Sequence, residues 1–222
     1  MQWASLMQQW VQWCALAIML TNKLTGQALF KGGIKAVVLI VVTILLMACS
    51  PKFDWRTVQS PQEGYIALFP AKPDKIERKV SYQAQELLQT LEAAKIDEDI
   101  YSISSIYLSK QQADLLATLS EQLKDNLFRS AGVDQSTVLS SDGVYQTANH
   151  QRITTKDYFL EFKSTNTAQQ AMRVRWITNP TMNGGIWLYQ VSILHTGPVQ
   201  PDVRAFFLAE DRANFFDEFH PN

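Results

Sequence analysis

The sequence has few of the residues that form disulfides or metal centres. Cys14 and Cys49 are its only cysteines, and its three histidines, His150, His195 and His220, are far apart in a chain of 222 residues. A zinc site needs three or four nitrogen, sulfur or oxygen ligands, which metal-binding motifs place at short spacings. We therefore expect neither a metal centre nor a cofactor, and a domain that is stabilised by its core alone.

Motifs of the common enzyme classes are also absent. There is no Gly-x-Ser-x-Gly elbow, and Gly184-Gly185 is not followed by the Lys-Ser/Thr of a phosphate-binding loop. The acidic run 97–99 lacks the spacing of a calcium-binding EF-hand loop. Adjacent carboxylates such as Glu210 and Asp211 fall on a predicted helix, where they are normally solvated. The sequence therefore predicts no catalytic residues and no enzyme activity.

An excess of positive charge is missing as well. The chain has 20 Lys and Arg residues against 21 Asp and Glu residues. Three basic residues and no acidic ones precede position 49, so residues 49–222 carry 17 basic and 21 acidic residues, a net charge of −4. Because nucleic-acid binding depends on basic surfaces that neutralise phosphates, nucleic acid is not an expected partner.

The most apolar run of the chain is too short to span a membrane. It covers residues 36–48, which is 13 residues, whereas a membrane-spanning helix needs about 20. Lys31 and Lys35 precede this run, and a cysteine follows it. A basic flank before a short apolar run is typical of a secretory signal peptide. We therefore predict a helical signal segment over residues 1–48.

The end of this segment, Leu46-Met47-Ala48-Cys49, resembles the signal peptide of bacterial lipoproteins. The resemblance implies cleavage between Ala48 and Cys49 and attachment of acyl chains, palmitate among them, to the Cys49 thiol. Each buried methylene contributes about 0.8 kcal/mol, so three acyl chains would anchor the protein permanently. Ser50 implies an outer-membrane lipoprotein that faces the periplasm, with the inner membrane as the less favoured location.

Residues 1–18 make the segment longer than a usual signal peptide. They are rich in Trp and Gln and carry no charge. Two interpretations are open: a first hydrophobic segment, or a translation start that lies at Met19 or at a nearby codon. The second is favoured because a start at Met19 leaves a signal peptide of 30 residues.

The rest of the chain is predicted to contain a lipidated tether over 49–62 and a single α+β domain over 63–222. A leucine stripe predicts a helix over 110–131 that stops at Gly132, and a Phe-rich segment predicts a second helix over 201–219. Asp142-Gly143 predicts a turn. Residues 86–96 also show helical spacing, but a strand is favoured there. The predicted strands cover 64–70, 76–80, 86–96, 100–108, 138–139, 157–163, 172–178 and 186–194.

This order of elements predicts an antiparallel sheet with helices packed on it. Trp55, the segment 64–73 and the aromatic segment 215–219 resemble the PsbP-like α/β/α sandwich. The resemblance implies a domain that binds other proteins, because most members of that fold do so. It carries over no catalytic residues.

Four residues of a predicted hairpin are candidates for contact with a partner: Trp176, Trp187, Arg173 and Arg175. The alternation of a strand places the two arginines on the opposite face from Trp176. Trp and Arg are enriched at protein interfaces, which favours a contact patch. The alternative, which is preferred, places Trp176 in the core and leaves the arginines solvated or paired with Glu161 on the preceding strand.

Three functions are compatible with these observations. The leading hypothesis is a lipid-anchored, non-enzymatic periplasmic domain that contacts another envelope protein. The alternative is a carrier of a small ligand or lipid, which requires an apolar cavity of at least about 300 Å³ between sheet and helices, although the aromatic-rich C-terminal helix suggests that this space is filled. The third is an unrecognised hydrolase, which requires His150 or His195 within hydrogen-bond reach of a serine or carboxylate in a cleft.

Overall fold

The computed structural model of the chain describes residues 52–162, 170–198 and 201–222. Residues 53–222 fall into one compact unit. The predicted signal segment, its cleavage site at Ala48 and the predicted lipid attachment site at Cys49 lie outside the described residues. In the part of the chain that is described, no helix is long and apolar enough to cross a membrane.

Ten strands within the described residues form two antiparallel sheets. They are β1 (Arg56–Ser60), β2 (Tyr65–Phe69), β3 (Asp74–Tyr82), β4 (Gln85–Ile96), β5 (Asp99–Leu108), β6 (Leu139–Gln146), β7 (Arg152–Phe162), β8 (Gln170–Pro180), β9 (Ile186–His195) and β10 (His220–Pro221). The smaller sheet has the order β1-β2-β10, and the larger has the order β3-β4-β5-β9-β8-β7-β6. The pairing of β5 with β9 at the centre joins the two halves of the larger sheet.

The described residues contain fewer helices than strands. A 3-10 helix (Lys110–Leu115) leads into α1 (Leu116–Ala131), and α2 (Val203–Phe207) and α3 (Glu210–Asp217) lie near the C-terminus. Helix α1 ends at Gly132, whose φ of 69° lies in the left-handed region that glycine adopts without strain. The predicted helix end is therefore confirmed, whereas the predicted C-terminal helix is two short helices.

The large sheet carries a hydrophobic core on each face. On one face, α1 buries Leu119 and Phe128 against a cluster that includes Val174 and Trp176 of β8. On the other face, α2, α3 and the small sheet enclose a second cluster, which includes Ile177 of β8. Successive side chains of a strand point to opposite faces, which is how β8 contributes to both cores. The predicted antiparallel sheet with helices packed on it is confirmed, although sheet predominates.

Other segments also differ from the sequence prediction. Residues 56–60 were expected in the tether, but they form β1 and pair with β2. This strand is mostly polar and exposed, so it has no apolar alternation to identify it. Asp142-Gly143 was expected to be a turn, but it lies inside edge strand β6. Lys163, the last residue of the strand predicted over 157–163, lies outside the described residues.

Candidate functional site

Three buried charged residues lie together on the sheet face that α2 and α3 cover. We call Asp157, Arg173 and Arg175 the Asp157 cluster. Asp157 of β7 is the direct cross-strand partner of Arg175 in β8, and Arg173 lies two residues earlier on the same face. The Asp157 carboxylate accepts hydrogen bonds from Arg175 Nε (2.6 Å), Arg175 Nη2 (2.9 Å) and Arg173 Nη2 (2.7 Å). All three side chains are at most 3% exposed.

The two C-terminal helices complete the surroundings of the Asp157 cluster. The Phe216 ring of α3 lies 3.9 Å from Cζ of Arg173 and 5.4 Å from Cζ of Arg175, which are cation–π distances. Arg173 donates to the carbonyl oxygen of Phe207, and Arg175 donates to that of Phe216. Carbonyl groups in the last turn of a helix lack intrahelical partners, so the arginines satisfy them. The cluster therefore fixes both helices to the sheet.

The charges of the Asp157 cluster do not cancel, because two guanidinium groups share one carboxylate. Burial by itself raises the pKa of Asp157, but the hydrogen bonds and charges of Arg175 and Arg173 outweigh burial and hold the pKa below its usual value. Burial lowers the pKa of Arg173, and Asp157 offsets only part of that effect. Arg173 Nε is buried and has no acceptor within the described residues. The cluster therefore carries a net positive charge and at least one unused donor.

A cleft of about 410 Å³ lies above the Asp157 cluster, between β6–β8 and the helices α2 and α3. Its rim carries two exposed arginines, Arg152 and Arg204, and two exposed carboxylates, Asp142 and Asp217. Two partly exposed apolar side chains, Val144 and Leu208, complete the rim. The remaining lining residues are Ser141, Gly143, Tyr145, Gln146 and Ala213, together with the three residues of the cluster.

Gly143 explains how β6 approaches the Asp157 cluster so closely. A Cβ atom at this position would lie 2.8 Å from Arg175 Nη2 and 3.0 Å from Asp157 Oδ2. Arg175 is held by four hydrogen bonds to Asp157, Val144 and Phe216, so its guanidinium cannot move aside freely. Gly143 therefore allows β6 to pack closely against the Asp157 cluster and does not form a turn.

The four residues predicted for partner contact do not form one exposed surface. Trp176 is 8% exposed and belongs to the core under α1, whereas Trp187 is half-buried on the opposite face, beside Tyr189. Arg173 and Arg175 lie on the opposite face from Trp176, as predicted, but they are only 2% exposed. The expectation that they are solvated or paired with Glu161 is wrong, because their partner is Asp157.

Sequence reasoning missed Asp157, although a signal for it exists. Asp157 and Phe159 occupy the same face of β7, and both are buried. A carboxylate at a buried strand position needs a cationic partner, because a buried unpaired charge is costly. The alternation of β8 places Arg173 and Arg175 on one face, but only the register of β7 against β8 brings them to Asp157.

A second polar cluster lies where β5 begins and β9 ends. His195 Nδ1 is 2.6 Å from Asp99 Oδ1, and Arg212 of α3 donates to Asp99 Oδ2 at 2.8 Å. His195 is 5% exposed, and its Nε2 has no hydrogen-bond partner within the described residues. A triad needs a hydroxyl or thiol at that nitrogen. His195 therefore makes the carboxylate contact that the hydrolase hypothesis requires, but it is buried and its Nε2 has no hydroxyl or thiol partner within the described residues.

The other two histidines lie elsewhere. His150 is exposed in the turn between β6 and β7, and its ring is within 3.5 Å of Gln146. His220 lies 2.9 Å from the carbonyl oxygen of Gln146 and is half-buried. Among the described residues, no group of three or more His, Cys, Asp or Glu side chains is arranged to hold a metal ion.

Comparison with known proteins gives no relative for this fold or for the cleft. No protein family, no curated protein and no solved structure matches the chain.

Proposed function

We propose that the protein is a bacterial lipoprotein, anchored through acyl chains on Cys49 to the periplasmic side of the outer membrane. Its folded domain contacts another envelope protein and catalyses no reaction. The observation that carries this proposal is the run Leu46-Met47-Ala48-Cys49, which stands directly before the compact unit that begins at Phe53.

The short distance in sequence between Cys49 and the compact unit limits how far the domain can move. Only residues 50–52 lie between Cys49 and Phe53. An extended chain advances by at most about 3.6 Å per residue, so the domain begins within about 15 Å of the acylated residue. A lipid at Cys49 would therefore confine the domain to a thin layer at the bilayer surface. Confinement raises the effective concentration of a partner in the same layer, so a weak interface suffices.

We also propose that the fold belongs with the PsbP-like α/β/α sandwiches. The support is that helices lie on both faces of the large sheet. The segments that carry the resemblance supply core residues, since Tyr65 and Phe69 of β2 and Phe215, Phe216 and Phe219 near the C-terminus are almost fully buried. Members of that fold mostly bind proteins, which supports partner contact as the function.

The anchor and the contact can be tested together in intact cells. Cells that express the wild type, Cys49→Ala or the control Ser50→Ala are fed a palmitate analogue and treated with a short crosslinker. We expect labelling and a crosslinked adduct of defined size in the wild type and in Ser50→Ala, and neither in Cys49→Ala. Labelling of Cys49→Ala would contradict the anchor, and an undiminished adduct in that variant would contradict the role of confinement.

The cleft favours a second candidate function, a carrier of a small ligand. Its volume of about 410 Å³ exceeds the roughly 300 Å³ at which ligand pockets begin, and it lies between sheet and helices. Seven of its lining residues are charged, so it is not the apolar cavity that the sequence predicted for a carrier.

A further inference from the structure

The cleft above the Asp157 cluster has the charge distribution of an anion site. Its floor carries two guanidinium groups and one carboxylate, and Arg152 and Arg204 add two positive charges at the rim. Asp142 and Asp217 oppose them, so four cations face three carboxylates. An anion in the cleft would neutralise the remaining positive charge in surroundings that are partly shielded from water, where charge interactions are stronger than in solution.

We propose that this cleft binds a small ligand that carries an oxyanion, phosphate or carboxylate, joined to a short apolar group. Guanidinium groups bind oxyanions through paired, charge-assisted hydrogen bonds, and the exposed Arg204 and Arg152 are placed to donate them. The side chains of Arg173 and Arg175 are only 2% exposed, so these arginines attract the anion through their positive charge from below the cleft. The inference deepens the second candidate function, ligand binding in the cleft, and is independent of the lipid anchor.

Apolar side chains at the rim of the cleft indicate that the ligand also has an apolar part. Val144 is 38% exposed and Leu208 is 43% exposed, and they line the cleft together with the arginines. A phosphate group alone would leave much of the 410 Å³ cleft unfilled. A ligand with several carbon atoms would cover both apolar side chains, which is favourable because apolar surface is removed from water.

Calorimetric titration of the full-length protein in lipid nanodiscs tests the proposal, with empty nanodiscs as the blank. The probes are hexyl phosphate, hexanoate, the neutral methyl hexanoate and inorganic phosphate, all at one ionic strength. The variants are Arg204→Gln at the rim, Asp217→Asn at the rim, and Arg129→Gln as the control. Arg129 is an exposed arginine at the end of α1, on the opposite face of the sheet.

We expect hexyl phosphate or hexanoate to bind the wild type, and which of the two binds more tightly identifies the oxyanion. Arg204→Gln should weaken binding by about tenfold, as expected for loss of a charge-assisted hydrogen bond. Asp217→Asn should tighten binding, and Arg129→Gln should leave it unchanged. Equal weakening by Arg204→Gln and Arg129→Gln would place the anion outside the cleft and overturn the proposal.

The neutral probe separates the oxyanion from the carrier function. If methyl hexanoate binds as tightly as hexanoate, the oxyanion inference is wrong while the carrier function stands. If inorganic phosphate binds as tightly as hexyl phosphate, the apolar part of the proposal is wrong. If no probe binds, both the inference and the carrier function are contradicted, whereas the anchored lipoprotein proposal is untouched.

Discussion

At the scale of single residues, the Asp157 cluster is the feature on which both the fold and the cleft depend. Arginine and aspartate are almost never fully buried unless they are paired. Here Asp157 pairs with Arg173 and Arg175, and the arginines in turn hold the carbonyl oxygens of Phe207 and Phe216. Removal of the single carboxylate would therefore affect the sheet and both helices at once.

Asp157→Asn should destabilise the protein by about 3–5 kcal/mol, because it leaves two buried guanidinium groups without a counter-charge. Urea unfolding measures the change in the free energy of unfolding. Asp142→Asn is a matched control, since Asp142 is an exposed carboxylate on the adjacent strand β6, and its change should stay within about 0.5 kcal/mol. Equal effects of the two substitutions would show that the cluster contributes no special stability.

The Asp157 carboxylate should make the free energy of unfolding depend on pH. The folded-state pKa of Asp157 lies below its ordinary value of 3.8, so its contribution is fully present above that value and is lost as the pH falls through the folded-state pKa. The difference in unfolding free energy between wild type and Asp157→Asn should therefore be constant near neutral pH and shrink below about pH 4. A difference in unfolding free energy that grows as the pH falls would contradict this prediction.

Gly143→Ala tests the close approach of β6 to the cluster. The added methyl group would lie 2.8 Å from Arg175 Nη2, so we expect a loss of about 1–3 kcal/mol, as for other overpacked sites. Ser141→Ala, two residues earlier in the same strand, should change the free energy of unfolding by less than about 0.5 kcal/mol. Loss of the same size at both positions would attribute the effect to the strand and not to the contact.

At the scale of elements, the sequence predicted the strands and the helix in which buried and exposed residues repeat with a regular period. Strands β4, β5 and β9 and the helix that ends at Gly132 are confirmed close to their predicted bounds. β1 was missed because most of its residues are polar and exposed, so apolar and polar residues do not alternate along it. Only Leu139 of β6 falls in the strand predicted over 138–139, and the rest was missed because Gly143 has the residue type of a turn but packs closely against Arg175.

The candidate site was only partly predictable, because its residues lie on different elements and no local sequence pattern connects them. The opposite faces of Trp176 and the arginine pair follow from alternation within one strand, and this prediction is confirmed. The partner of the arginines depends on the register of β7 against β8, which no local pattern specifies. Glu161 is four residues from Asp157 on the same strand, and the pairing register places it opposite Ala171 and not opposite an arginine.

Gly132→Ala tests the end of helix α1 at this scale. An L-residue at φ 69° is strained, so we expect a loss of about 1–2 kcal/mol in urea unfolding. Gly132→Asn should cost less, because asparagine tolerates the left-handed conformation better than alanine. If alanine were tolerated as well as asparagine, the left-handed end of the helix would not limit stability.

At the scale of the whole molecule, the described domain is one folded unit with a core on each face of its central sheet. We propose that two features outside those cores determine its function: a lipid at Cys49, which would place the domain at a bilayer, and a basic cleft, which would bind a ligand. The anchor is the central claim, because location and partner contact both depend on it.

The measurement that tests this claim most directly is the intact mass of the protein purified from the membranes of its own cells. We predict a chain that begins at Cys49 and carries the added mass of acyl chains on that residue. A chain that retains residues before Cys49, or one that begins at Cys49 without fatty acid, would contradict it.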